Sequence, residues 1–115
     1  MANYLGVNTD VDQPASIKLS GPNASGSTAI TRMYVIKQNL TPASVAANTT
    51  AEQTFTVQGL QVGDSLDINK ASHQAGLSIG NVRVSAANTL AIQYVNTTAG
   101  AITPTAEQYI IGGMA

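Results

Sequence analysis

A period of two constrains this chain more than any other feature of its sequence. Along Glu52-Gln53-Thr54-Phe55-Thr56-Val57, Phe55 and Val57 fall on one side and Thr54 and Thr56 on the other. A half-buried strand needs that alternation, because successive side chains point to opposite faces. Ser65-Leu66-Asp67-Ile68-Asn69 alternates again, with Leu66 and Ile68 inward and Asp67 outward, and Gly59-Leu60-Gln61-Val62-Gly63-Asp64 supplies turn residues between the two runs. Val82-Arg83-Val84 and Leu90-Ala91-Ile92-Gln93-Tyr94 predict a hairpin around Ser85-Ala86-Ala87-Asn88-Thr89, where Asn88 tolerates a left-handed conformation. Asn96 to Gly100 reads as another turn, and Tyr109-Ile110-Ile111 as a closing strand ended by Gly112-Gly113. No long helical period occurs anywhere.

The first half is less regular. Ala15-Ser16-Ile17-Lys18-Leu19 and Thr31-Arg32-Met33-Tyr34-Val35-Ile36-Lys37 are strand candidates, separated by a flexible loop at Gly21-Pro22-Asn23-Ala24-Ser25-Gly26-Ser27. Residues 1–13 show no periodicity and read as an arm that orders against a partner. Ala43-Ser44-Val45-Ala46-Ala47 predicts one helical turn, with Pro42 where a helix would start. With 115 residues there is room for one domain. The expectation is an all-β fold: an antiparallel β-sandwich or small barrel, jelly-roll or immunoglobulin-like, of about seven to eight strands. Residues 1–20 form an N-terminal arm and first strand, and residues 21–115 the single β-sandwich domain. Thr50-Ala51-Glu52-Gln53 and Thr105-Ala106-Glu107-Gln108 echo each other, each launching a strand.

Charge narrows the function. Asp, Glu, Lys and Arg make up 10% of the residues, against about 25% in a typical soluble domain. Polarity comes instead from Thr, Ser, Asn and Gln. A sparse, nearly neutral surface is easier to desolvate against a partner, because burying ions costs more than burying hydroxyls and amides. That favours permanent assembly. The five basic residues, Lys18, Arg32, Lys37, Lys70 and Arg83, are scattered, so no cluster releases counterions from a phosphate backbone, and nucleic acid is not an expected partner. There is no cysteine, hence no disulfide framework or thiolate metal site. Met1-Ala2-Asn3-Tyr4-Leu5 lacks the basic and apolar regions of a secretory signal, and no apolar run approaches membrane-spanning length, so no membrane partner is expected.

One motif looks catalytic. Gly76-Leu77-Ser78-Ile79-Gly80 fits G-x-S-x-G, but a nucleophile elbow needs a helix after its serine and a histidine downstream. Here a strand follows, and the lone histidine, His73, precedes the serine. His73 without a second ligand makes no zinc site. Asn8-Thr9-Asp10-Val11-Asp12 spaces oxygen ligands like part of a calcium loop but lacks the following glycine and distal glutamate, so solvated carboxylates are the expectation. Asp64 follows Gly63 in a turn, where aspartate commonly bonds its own backbone, while Glu52 and Glu107 read as caps of strand starts. The sequons at Asn23, Asn39, Asn48 and Asn96 are expected by chance in so Asn/Thr-rich a chain. No enzyme activity and no cofactor is expected.

The run Leu40-Thr41-Pro42 through Val57, then Gly59-Leu60 and Gly63-Asp64, resembles a module common in structural proteins of tailed bacteriophages. So do Gln74-Ala75-Gly76-Leu77-Ser78-Ile79, Val82-Arg83-Val84-Ser85-Ala86-Ala87-Asn88-Thr89-Leu90-Ala91-Ile92, Asn96-Thr97-Thr98, Ala101-Ile102-Thr103-Pro104-Thr105-Ala106-Glu107 and Tyr109. The resemblance covers residues 38–112 and leaves 1–37 outside. It implies a virion β-domain, on head or tail. A short version of such a module with an irregular N-terminal segment is what a capsid decoration, or cement, protein looks like. Its partners would be the major capsid protein and further copies of itself, as trimer or dimer, on the surface of a phage head assembled in the host cytoplasm. Asn3, Tyr4, Leu5, Val7, Val11, Ile17 and Leu19 are the candidate capsid or oligomer contacts. A tail, neck or head-fibre component is the alternative. A carbohydrate-binding sandwich is a third reading, weakened by 4% aromatic content and no tryptophan.

Overall fold

Alternation becomes six antiparallel strands in the computed structural model, which describes Lys18 and residues 24–115. They are β1 (Met33–Leu40), β2 (Thr49–Thr56), β3 (Ser65–Lys70), β4 (Leu77–Ala86), β5 (Thr89–Asn96) and β6 (Glu107–Met114). Two three-stranded sheets result, ordered β1-β6-β3 and β2-β5-β4. In each, a later strand inserts between two earlier ones and runs antiparallel to both. Among the described residues the two sheets share no ladder, so the fold is sandwich-like. The strand expected at Ala15–Leu19 lies, apart from the exposed Lys18, outside the described residues, and the described strands number six rather than about seven to eight.

The inner faces explain the pairing. β5 turns Leu90, Ile92 and Tyr94 inward, β6 turns Tyr109 and Ile111 inward, and Leu40, Val45, Val57, Leu60 and Val84 close around them. Full burial of a large apolar side chain stabilises by about 1.5–3 kcal/mol, so this set dominates the fold. The two central strands are also pinned to each other. Tyr94 and Tyr109 are both 0% exposed, and their hydroxyls meet at 2.8 Å across the core. Burial, followed by the contact with Tyr109, pushes the Tyr94 hydroxyl far up from its ordinary pKa, and burial raises Tyr109 as well. Both therefore stay protonated and able to share a hydrogen bond.

Two local expectations change. Ala43–Ala47 forms no helical turn: Val45 makes a reciprocal antiparallel bridge with Ile102, with N–H to carbonyl distances of 2.7 and 3.0 Å. The reason is Asn96, 1% exposed, whose amide donates to the carbonyls of Val45, Ala46 and Gly100 and so engages the groups a helical turn would use. The closing strand does not end at Gly112-Gly113 but runs through both to Met114. Tyr34, the cross-strand neighbour of Gly113, lays its ring where a methyl at that position would sit. A glycine inside this strand therefore makes room for an aromatic ring. Within the expected loop, Ala24–Gly26 forms a single 3-10 turn. The hairpin is as expected, with Asn88 at φ +58°.

Candidate interaction surfaces

The residues expected to make assembly contacts, Asn3, Tyr4, Leu5, Val7, Val11, Ile17 and Leu19, all lie outside the described residues, as does the Asn8–Asp12 acidic run. What the fold does place is the chemistry-bearing side chains of residues 24–115.

The G-x-S-x-G motif is a turn and a bulge. Gly76 sits at φ +81°, with the Thr98 side chain filling the space a methyl would take. Ser78 is exposed within β4. Gly80 lies where the β4 register shifts between Ile79 and Asn81, and this extra residue lets both Ile79 and Val82 face inward. No helix follows the serine, so the strand–turn–helix of a nucleophile elbow is not formed here. His73 and Ser78 line one small concavity of about 180 Å³ together with Lys70, Ser72 and Gln74, and no hydrogen bond joins the two among the described residues. Nor do three His, Asp or Glu side chains gather among the described residues as a metal would require.

Among the described residues, six charged side chains form three ion pairs. Arg83 holds Glu52 with two parallel bonds of 2.9 and 2.8 Å. The pair crosses the central strand β5 on the outer face, since Glu52 registers with Gln93 and Arg83 with Ala91. Glu52 is thus not a cap at a strand start but a mid-strand partner, and the Arg83 bond holds its carboxyl below the usual range. Glu107 does begin β6. There it accepts from Lys70 at 2.9 Å and Ser72 at 2.7 Å, and those bonds lower its pKa. The sequence echo therefore marks an edge strand in one sheet and a central strand in the other.

The third pair is the most enclosed. Asp64, with a side chain 1% exposed, accepts from Arg32 at 2.8 Å, from the Tyr34 hydroxyl at 2.6 Å and from the Gln61 N–H at 3.1 Å. It bonds its own turn, as expected, but it also fastens β1 to the loop before β3. Burial opposes its ionisation, yet Tyr34, Gln61 and Arg32 together hold the carboxyl below its ordinary value. Burial and then Asp64 push the Tyr34 hydroxyl up to about 12.

The sequon at Asn96 is closed, because its amide nitrogen is buried and donating. In the sequence Asn96 stands out only as the head of a turn and as a sequon, and its role as a buried donor to three carbonyls comes with the fold. Tyr94 and Tyr109 are in the core, so neither offers a ring face to a sugar, and the half-buried Tyr34 donates its hydroxyl to Asp64. Comparison with protein-family models, with curated proteins and with solved structures gave no match.

Proposed function

We propose that this chain is a structural subunit of a tailed-phage virion, and specifically a capsid decoration protein that ties neighbouring shell subunits together without catalysis or a cofactor. The observation that carries the reading is the disposal of charge. Six charged side chains neutralise one another in three ion pairs within the chain, Glu52–Arg83 on an outer face among them, and beside them the outer faces of the described residues carry mainly Thr, Asn, Gln, Ser and aliphatic groups. Such a surface is desolvated against a partner at low cost. The resemblance of residues 38–112 to phage virion modules supports the same reading. In it the major capsid protein is the partner, residues 1–20 are the arm reaching the shell, and copies of the chain associate as trimers or dimers. Of the two sandwich classes, the immunoglobulin-like one is favoured, since the described residues form six strands and a jelly roll takes about eight.

Quantitative mass spectrometry of purified virions tests the proposal by counting this chain against the major capsid protein. A copy number comparable to the shell subunit is expected. A few copies per particle moves the chain to the tail, neck or head fibre, and absence from the particle defeats the virion reading.

A further inference from the structure

We propose that the outer face of the β1-β6-β3 sheet is a twofold interface between two copies of this chain. The ladder places three rows across that face: Met33–Met114–Ser65, Val35–Gly112–Asp67 and Lys37–Ile110–Asn69. Met33 and Val35 are 65% and 68% exposed, and with Ile110 and Met114 they account for all but Val62 of the exposed large hydrophobics among the described residues. Gly112 carries no side chain between Val35 and Asp67, and a shallow concavity of about 500 Å³ lies over these strands. Apolar side chains gathered on one face, instead of scattered singly, mark an interaction surface.

Charge identifies the occupant. Arg32, Asp64, Glu52, Arg83, Lys70 and Glu107 all pair within the chain. Apart from the isolated Lys18, the charged residues left without a partner among the described residues are Lys37 and Asp67. They carry opposite signs, sit on opposite edges of this one sheet, and occupy adjacent rows of its outer face. A twofold axis parallel to the strands lays the β1 edge of one copy over the β3 edge of the other. Lys37 then lies diagonally across from Asp67 of the second copy, and symmetry repeats the pair. Sheets stack about 10 Å apart, a gap that a lysine and an aspartate side chain together span. The face is complementary to itself, as an isologous contact requires. The inference concerns two copies in solution and does not depend on the virion reading.

Sedimentation equilibrium of the full-length chain tests it. Wild type is expected to dimerise. Lys37→Asp and Asp67→Lys each turn both symmetric pairs into like-charge contacts and are expected to weaken the dimer about tenfold or more. An equimolar mixture of the two variants is expected to recover it, because an all-acidic edge pair then meets an all-basic one. Both side chains are exposed and make no internal bond, so melting curves should match wild type. A monomeric full-length chain overturns the proposal and leaves the face to its own N-terminal residues or another protein. A trimer, reversals as dimeric as wild type, or a mixture that fails to recover also overturns it.

Discussion

On the outer face of the β2-β5-β4 sheet, Thr50, Thr54 and Thr56 stand beside the Glu52–Arg83 pair, which crosses the central strand over a fully buried Ala91. On the outer face of the β1-β6-β3 sheet, Met33, Val35, Ile110 and Met114 stand beside Lys37 and Asp67, and nothing among the described residues closes the charges. The inner faces of the two sheets are alike, each turning aliphatic side chains and one central tyrosine to the core. Burial of apolar surface is non-directional, so it asks the same of both inner faces. The outer faces escape that requirement, and there one sheet is finished with hydroxyls and a satisfied ion pair while the other keeps apolar groups and unmatched charges in water. The difference teaches where to look for a partner: on the face whose own chain does not satisfy it.

The inner likeness is most directly broken by Ile92→Ala on β5 and Ile111→Ala on β6. Both residues are fully buried at the centre of a sheet, so each truncation is expected to cost about 3 kcal/mol in urea unfolding. A far smaller cost at one of them would mean the two sheets do not share a single core.

Next in size is the contrast of two aspartates on the same sheet. Asp64→Ala strands three donors, from Arg32, Tyr34 and Gln61, and is expected to cost about 2 kcal/mol, while Asp67→Ala changes stability by less than about 0.5 kcal/mol. The pH dependence carries a sign. Asp64 is lowered in the folded state, so its contribution is fully present above the ordinary value of 3.8 and is lost as pH falls through the lowered one. Tyr34 is raised, so its contribution is present below pH 10.0 and is lost as pH rises towards about 12. With urea midpoints followed across both limbs, the acid-side fall should flatten in Asp64→Asn and the alkaline-side fall should shrink in Tyr34→Phe.

Two adjacent glycines sharpen the comparison between inside and outside. A methyl at Gly113 overlaps the Tyr34 ring, whereas one at Gly112 meets only Asp67 at ordinary contact distance. Gly113→Ala is expected to lose about 1–2 kcal/mol through forced repacking, and Gly112→Ala to melt near wild type. The smallest effect belongs to Glu52→Gln. It breaks an ion pair on an exposed face, where the Coulomb gain is screened by water, so the denaturation midpoint should barely move.

Much of this architecture was legible because strand structure is written locally. Phe55 and Val57, Leu66 and Ile68, and the Asn88 turn sit where alternation and turn chemistry put them. Asp64 was legible only in part, since its turn bond is local but Arg32 and Tyr34 reach it from thirty or more residues away. Asn96 looked like one amide among many until the fold carried Val45, from far upstream, onto it. The candidate contacts among residues 1–19 lie on the segment without periodicity and on the strand candidate after it, whereas the face with the unmatched charges exists only once β1, β3 and β6 are side by side.

Local sequence pattern was enough to place the strands around Phe55, Ile68, Val84 and Ile92, their alternation and the Asn88 turn, because the pleat and the turn are set within a few residues. The tertiary structure alone decided that the last strand enters between the first and third, that Gly113 clears space for Tyr34, and that Lys37 and Asp67 share a face. Those outcomes depend on pairings across long stretches of chain. The entropic cost of closing such loops changes only slowly with their length, so no local pattern distinguishes one partner strand from another, and the choice is left to the packing of the shared core.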